Sequence, residues 1–518
     1  MTVNRLAGAT ITLLLSLLLA VPASGADDLS EAEARGKHIY TRGESTSGRV
    51  ISAEVKLSAA PASASILPCL QCHGERGEGI GELSPAIDWR VLVDPAAHEH
   101  PERRHGIFDE RSVARAIRNG LDPAGNGLEP TMPRYRIADE DMADLIAYLK
   151  RIGTELDPGI SARSIRIGTV LPTAGPLAGI GSAIRQVIEA QFADINAAGG
   201  IHGRKLELVV GGYGADDTPA FWAAQDLVAR EPVFALLSSF LPGFEPETAE
   251  LVTEKQLPHV GPFALLTNDG GRYEFFTQAS IVEQTHALVE STVADGRLPR
   301  VAIVYPRVKG FEALADAARD RVSARGSVRN IPYELNAFDA AGIAAGLAAA
   351  ETDAVVFLGS GTEFLEFASV AEQRSFRPTL LAPARFAERV VFDLPGSFDG
   401  RVYLSYPALP SDHSESGVID FELLHHRHDI DYSNSLAQVA AFTATRVLVD
   451  ALQRAGRSPS RATLVSSLEA MRDFSPGLTP AVSFGPGQRI GARGAHVLRV
   501  DLAEGRLDAE QRWISLAP

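Results

Sequence analysis

The sequence predicts a multidomain protein: a small all-α domain followed by a two-lobed α/β unit with parallel sheets. Three observations predict it. Residues 67–74 read Leu-Pro-Cys-Leu-Gln-Cys-His-Gly and hold both cysteines of the chain, with helical periods before and after them. From residue 164 onward, short apolar runs alternate with helical periods, the pattern of parallel strands covered by helices on both faces. That alternation comes in two successive blocks, which gives two lobes, and 518 residues suffice for several cores.

The chain opens with an address. Arg5 is positive, 7–21 is nearly unbroken apolar sequence, and Pro22-Ala23-Ser24-Gly25-Ala26 offers small residues for cleavage, so 1–26 is expected to be a signal peptide. The run is short for a span of about 20 residues, no cysteine stands at the cleavage site for lipidation, and no later segment reads as apolar enough to cross a membrane. The mature chain is expected in the periplasm, with no membrane span after signal cleavage. With 49 Lys and Arg against 65 Asp and Glu, the formal charge is -16. That argues against nucleic acid as a partner and leaves solubility, or attraction for a basic redox partner, as its use.

The first domain is expected over 27–152. Ser30 can cap a helix over 30–40, with Glu31 and Glu33 in its first turn and an end near Gly43. The Ser- and Ala-rich stretch 45–66 reads as a surface excursion with a short hairpin around 50–55. Cys69-Leu70-Gln71-Cys72-His73 then has the spacing of a covalently attached c-type haem. Two thiols three residues apart can each bond one haem vinyl group, and the next residue presents an imidazole to the iron. One haem c is expected, with thioethers from Cys69 and Cys72 and a nitrogen ligand from His73. No cysteine remains for a disulfide. Gly74, Gly77, Gly79 and Gly81 give a loop whose backbone can pass close to the porphyrin edge; as a phosphate loop it fails, because no Gly-Lys-Ser/Thr follows.

The iron needs a sixth ligand, and there are four methionines. Met1 leaves with the signal, Met471 lies in the other unit, and Met142 joins Leu145, Ile146 and Leu149 in the buried stripe of a helix over 139–151. Met132 sits in Glu129-Pro130-Thr131-Met132-Pro133, a loop held extended by its prolines. It is either the sixth ligand, the reading adopted, or a surface side chain. His98, His100 and His105 form a rival cluster for a metal or the iron; the charged run broken by Pro101 reads better as a solvated loop.

On the N-terminal helix, the Cys69–Gly74 motif, Thr131-Met132-Pro133 and the closing helix with Tyr148-Leu149, this domain resembles a class I cytochrome c. The resemblance implies His73 as proximal and Met132 as distal ligand, a six-coordinate iron, and electron transfer. Methionine ligation raises the potential. The long insertion before the motif departs from the family.

Residues 153–163 form a short linker of turn formers. Within 164–518, strands are expected at 165–171, 205–210, 233–238, 259–262, 300–305 and 354–358. Helices are expected at 183–197, 220–229, 247–255, 311–325, 342–350 and 364–373. Ligands of open sheets bind beyond the carboxyl ends of the strands, which makes the loops after Leu171, Leu237, Val260, Val304, Leu358 and Leu381 site candidates.

This unit resembles the type I periplasmic solute-binding proteins, in particular the Leu/Ile/Val-binding group of ABC transporters. The residues that carry it are Ile165-Arg166-Ile167-Gly168, Pro172, Gly175-Pro176, Gly181, Val301-Ala302-Ile303-Val304-Tyr305 and, most specifically, Asp194-Ile195-Asn196-Ala197-Ala198-Gly199-Gly200-Ile201-His202-Gly203-Arg204-Lys205-Leu206. The resemblance implies two Rossmann-like lobes, roughly 164–281 and 282–404 each with a returning segment, joined by three hinge crossings around a ligand. The family's amino-acid-binding residues transfer poorly. At the matching loops stand Ser238-Ser239-Phe240 and Phe263-Ala264, Ile180 replaces an aromatic, and Arg385 stands where the acid for a ligand ammonium would be. With Tyr305 and Ser360 these are the solute-site candidates, and they point to an apolar or aromatic compound or a carboxylate, since a zwitterion needs partners for both charges.

Asp216-Asp217 is expected to cap a helix, and His425-His426-x-His428 to be an exposed charged run with metal binding as the lesser reading. No nucleophile or zinc-protease motif appears. The leading expectation is a non-enzymatic electron carrier fused to a solute-binding module. The alternatives are the binding component of an ABC importer, working with a permease, and a haem-linked oxidoreductase subunit.

Overall fold

Ser30 starts the first helix, Glu31–Arg42, through a capping box in which its hydroxyl accepts from the Glu33 N–H and its own N–H donates to the Glu33 carboxylate. Gly43, at φ 69°, ends it. The computed structural model describes residues 29–55, 61–80, 84–100, 103–154, 156–214, 219–267, 271–292, 300–323, 326–387, 390–508 and 512–516. The expected signal peptide and Asp216-Asp217 lie outside them. Two units form, divided between residues 156 and 157.

In the first unit the opening helix crosses the closing helix, Asp139–Arg151, at Gly36, where a Cβ would stand 2.0 Å from the Asp144 carbonyl oxygen. Arg35 grips the Asp144 carboxylate through two nitrogens at 2.7 and 2.9 Å. Met142, Leu145, Ile146 and Leu149 are buried with Ile39 and Tyr40 in one core, so the stripe read from the sequence does pack inward. The insertion forms a small antiparallel sheet: Ser52–Glu54 pairs with Ala62–Ser63 on one side and with Arg134–Arg136 on the other. Arg49 and Ser45 pin it to the buried Asp141 at 2.8 and 2.7 Å. The histidine run corrects the expectation of a solvated loop. His98 is buried, its Nε2 donates to the Leu92 carbonyl at 3.0 Å, and its ring lies against His105 and Phe108. Charge density in the sequence hid one inward-facing imidazole.

In the second unit, one lobe is a five-stranded parallel sheet in the order Glu274–Phe275, His259–Val260, Ala235–Leu237, Ser164–Pro172, Lys205–Tyr213. The other runs Val328–Tyr333, Val301–Pro306, Ala354–Phe357, Thr379–Pro383, Val402–Tyr406 in parallel. It then adds Gly494–Asp501 antiparallel, flanked by Arg506–Leu507 and Arg512–Ser515. The chain crosses between lobes three times: from Phe275 into helix Ile281–Ser291, from Tyr406 into helix Glu415–His428, and from helix Arg461–Glu469 back to Gly494–Asp501. The 194–206 segment is a clasp. Asn196 exchanges two hydrogen bonds with the Leu206 backbone at 2.7 and 2.9 Å, and Asp194 accepts from His428 at 2.9 Å and from Arg427.

Two further expectations are corrected. His425 is buried, stacked on Tyr432 with Nδ1 3.1 Å from the Ile430 carbonyl, so the second histidine run is not simply an exposed one. And helix Ser435–Ala455 is long and apolar enough to cross a membrane; two thirds of its apolar window (67%) is buried inside the first lobe, packed on helix Ala178–Ala197. A core helix covered on most sides needs the same composition as a membrane span.

Candidate functional site

The short helix Leu70–His73 follows Cys69 directly, so one turn presents both thiols and the imidazole. The His73 N–H donates to the Cys69 carbonyl at 2.9 Å. His73 is buried, and its Nδ1–H donates to the Pro85 carbonyl at 2.9 Å. That bond leaves Nε2 with its lone pair, and burial holds the ring below its ordinary pKa, so it is neutral and ready to ligate. Desolvation pushes the Cys69 thiol up to about 12, away from the reactive thiolate. Gly79, at φ 80°, lets the loop close against Ser84, and its N–H returns to the His73 carbonyl at 2.9 Å.

Met132 stands in the loop that enters strand Arg134–Arg136. Arg134 donates to the carbonyls of Leu128 at 3.0 Å, Glu129 at 3.3 Å and Met132. Its burial, which lowers its pKa, is the cost of that scaffold. The Tyr135 hydroxyl donates to the Leu67 carbonyl at 2.6 Å, and Tyr40 to the Gly74 carbonyl at 2.6 Å. Tyr135 thus ties the methionine strand to the segment entering the cysteine motif, and Tyr40 ties the first helix to the segment leaving it. The sequence reading missed Tyr40, Arg134 and Tyr135; their only signal was position, flanking the motif and the methionine. Two thiols on one turn, a bare imidazole nitrogen and a thioether in a braced loop form a donor set that fits haem c, which would supply one-electron chemistry there.

The second site is a cavity of about 480 Å³ between the lobes. The first lobe contributes Gly261–Ala264, Phe276–Ser280 and Ser435–Ala440 positions, the second Ala384, Arg385 and Ser405–Pro410 positions. It adjoins all three crossings, the third through Leu478. Of the sequence candidates, Phe263, Ala264 and Arg385 line it; Ser238, Ser239, Phe240, Tyr305 and Ser360 do not. Each of these five has other work. Ser238, at φ 47°, turns the chain; the Ser239 hydroxyl accepts the Val170 N–H at 3.1 Å; and Phe240 backs Phe263 edge-on at 5.3 Å. Tyr305 is buried in the second-lobe core, and Ser360 caps helix Gly361–Gln373. Phe276, Leu409, Leu436, Val439 and Ser405 line the cavity without having been singled out, because the sheets and crossings that gather them are distant in sequence.

Arg385 lies 5.1 Å from the Phe263 ring, reaching from one lobe to the other. Burial lowers its pKa to about 10, opposed by the charge of Glu245, so the guanidinium stays charged at neutral pH. Glu245 is itself raised by burial and accepts the Leu265 N–H at 2.9 Å.

A two-lobed α/β unit with a cavity at its hinges, preceded by a haem-fitting helical unit, defines a fusion of a solute-binding protein and a cytochrome. The chain belongs to the periplasmic binding protein family, which matches residues 164–506, and the cytochrome c family matches 64–153. It is 23% identical over 237 residues to Leu/Ile/Val-binding protein homolog 7 of Brucella melitensis, covering 43% of this chain and 59% of that one. It is 24% identical over 173 residues to homolog 3 of the same organism, covering 33% and 46%. The chain therefore spans roughly half of these curated relatives. Among solved structures, a leucine-binding protein from Thermotoga maritima aligns with TM-score 0.53 at 18% identity over 68% of this chain and 99% of that one. A fatty acid ABC transporter substrate-binding protein from Thermomonospora curvata aligns with TM-score 0.54 at 15% identity over 70% and 94%. These likenesses carry the fold.

Proposed function

We propose that this protein is a periplasmic mono-haem electron carrier whose second unit binds a small solute in the cleft, with binding coupled to electron transfer. Cys69 and Cys72 would hold the haem, and His73 and Met132 would supply ligand atoms to its iron. His73 is oriented by Pro85, and Met132 by the Arg134 scaffold. A closed nitrogen–sulfur shell favours electron transfer to a periplasmic redox partner over chemistry at the iron. In the second unit the solute would lie against Phe263, Ala264 and Arg385, beside the three hinge crossings, so that occupancy favours the closed lobes.

The observation that carries the reading is the presence on one chain of a braced haem-ligand set and a hinge-side cavity. Its test is a pyridine haemochrome and intact-mass measurement on the exported protein together with a thermal-shift ligand screen. One haem per chain and a solute that raises the melting temperature are expected; an apo chain after export in a cytochrome-maturing host, or no haem in a C72A-sensitive linkage, contradicts it. A second reading, delivery of the solute to an ABC permease, is favoured by the likeness to the Thermomonospora curvata substrate-binding protein of an ABC transporter. Solute uptake that depends on this chain would support it.

A further inference from the structure

The cleft cavity contains one full cation and no acid. No Asp or Glu is among the described residues that line it, and the charged lining side chain is Arg385. His413, also in the wall, is held below its ordinary pKa by burial, opposed by the charge of Asp412. Carboxylates of residues beside the lining ones have partners of their own. Glu283 accepts from the Ser280 N–H and the Thr267 hydroxyl at 2.9 Å each, and Asp412 accepts from the Leu409 N–H at 2.8 Å and from His496 at 2.9 Å. Glu245 accepts from Leu265 with one oxygen; its other oxygen has no hydrogen-bond partner among the described residues, and its charge acts on Arg385 from outside the lining. Arg385 has no ion pair within 4 Å among the described residues; its guanidinium rests on the rings of Phe263 and Phe386.

A second donor stands beside it. Ser405 is fully buried and lines the cavity, and its hydroxyl has no hydrogen-bond partner among the described residues. Ser405 pairs in register with Pro383, two residues before Arg385. Both therefore stand at the carboxyl ends of adjacent parallel strands, where open α/β sheets receive ligands.

We propose that the cleft takes an apolar monocarboxylate, whose carboxylate is held by Arg385 with Ser405 as second donor and whose body lies against Phe263, Phe276 and Leu436. This rests on the reading of the cleft as the solute site. An amino acid would bury an ammonium with no acid among the described lining residues to meet it, and a dicarboxylate would bury a second anion with no second cation there.

The test is calorimetric titration of the full holoprotein with octanoate and benzoate, set against octanamide, benzamide and leucine. At least one acid is expected to bind more than tenfold tighter than its amide. R385Q should weaken that acid by about 30-fold or more, R385K by less, and S405A by about tenfold or less. The haem spectrum and melting temperature of each variant report its folding, and the acid–amide comparison on the native chain stands without them. An amide that binds as well as its acid, or leucine binding tighter than both acids, overturns the carboxylate assignment and leaves the solute site standing. If no acid, amide or amino acid binds, the proposal falls together with the reading of the cleft.

Discussion

His73 shows how a single backbone carbonyl sets a ligand. Because the Pro85 carbonyl accepts from Nδ1–H, Nε2 is the atom that would be left for an iron, and the imidazole cannot choose its other tautomer without losing a buried hydrogen bond. Met132 has no comparable side-chain constraint; its loop is held instead by Arg134 through three carbonyls. M132A is expected to remove the sulfur–iron charge-transfer band and to lower the midpoint potential, on the order of 100 mV or more, because the soft sulfur that favours ferrous iron is gone; optical redox titration measures both. An unchanged band would assign the sixth position elsewhere. Asp141 makes a pH prediction. The Arg49 guanidinium holds its carboxyl below the ordinary carboxylate range, so its stabilisation is complete above that range and is lost as the pH falls through the lowered value. D141N should cost the haem unit about 1–2 kcal/mol at pH 7. The deficit should narrow below about pH 4, as read from Soret-monitored melts across pH.

At the scale of elements, the crossing of the first and closing helices depends on Gly36, which brings one backbone within reach of the other. G36A is expected to destabilise the first unit by about 1–3 kcal/mol, measured by denaturant unfolding followed in the Soret region, and a wild-type midpoint would contradict the close crossing. Nothing in the local sequence marks Gly36, since it sits in an ordinary helical period. The haem motif was legible because covalent attachment needs fixed spacing, and the α/β rhythm because strand and helix periods differ over short windows. What the sequence obscured depended on neighbours far along the chain. Charge around His98 and His425 suggested exposure, yet Leu92, Phe108 and Tyr432 bury them. Strand Gly494–Asp501 closes the second sheet antiparallel only because the chain has first returned through the other lobe. Of the cleft, Arg385, Phe263 and Ala264 could be read from a family resemblance, whereas Ser405 is revealed by its strand register with Pro383.

At the scale of the whole molecule, two modules of different chemistry stand on one chain. In the proposed function the haem site exchanges electrons, the cleft recognises a solute, and each alters the other. Linkage makes that requirement quantitative and reciprocal: a tenfold difference in solute affinity between the ferric and ferrous forms moves the potential by about 59 mV. At a solute concentration of 100 times Kd, the solute-binding unit should also gain about 2.7 kcal/mol of stability, seen as a higher melting temperature. The most direct measurement is the haem midpoint potential of the full-length holoprotein, with its rate of reduction by a small mediator, taken with and without saturating octanoate or benzoate, whichever binds. The potential or the rate is expected to change on binding, and R385Q to abolish the change. Identical potentials and identical rates, with the solute demonstrably bound, would contradict the coupling.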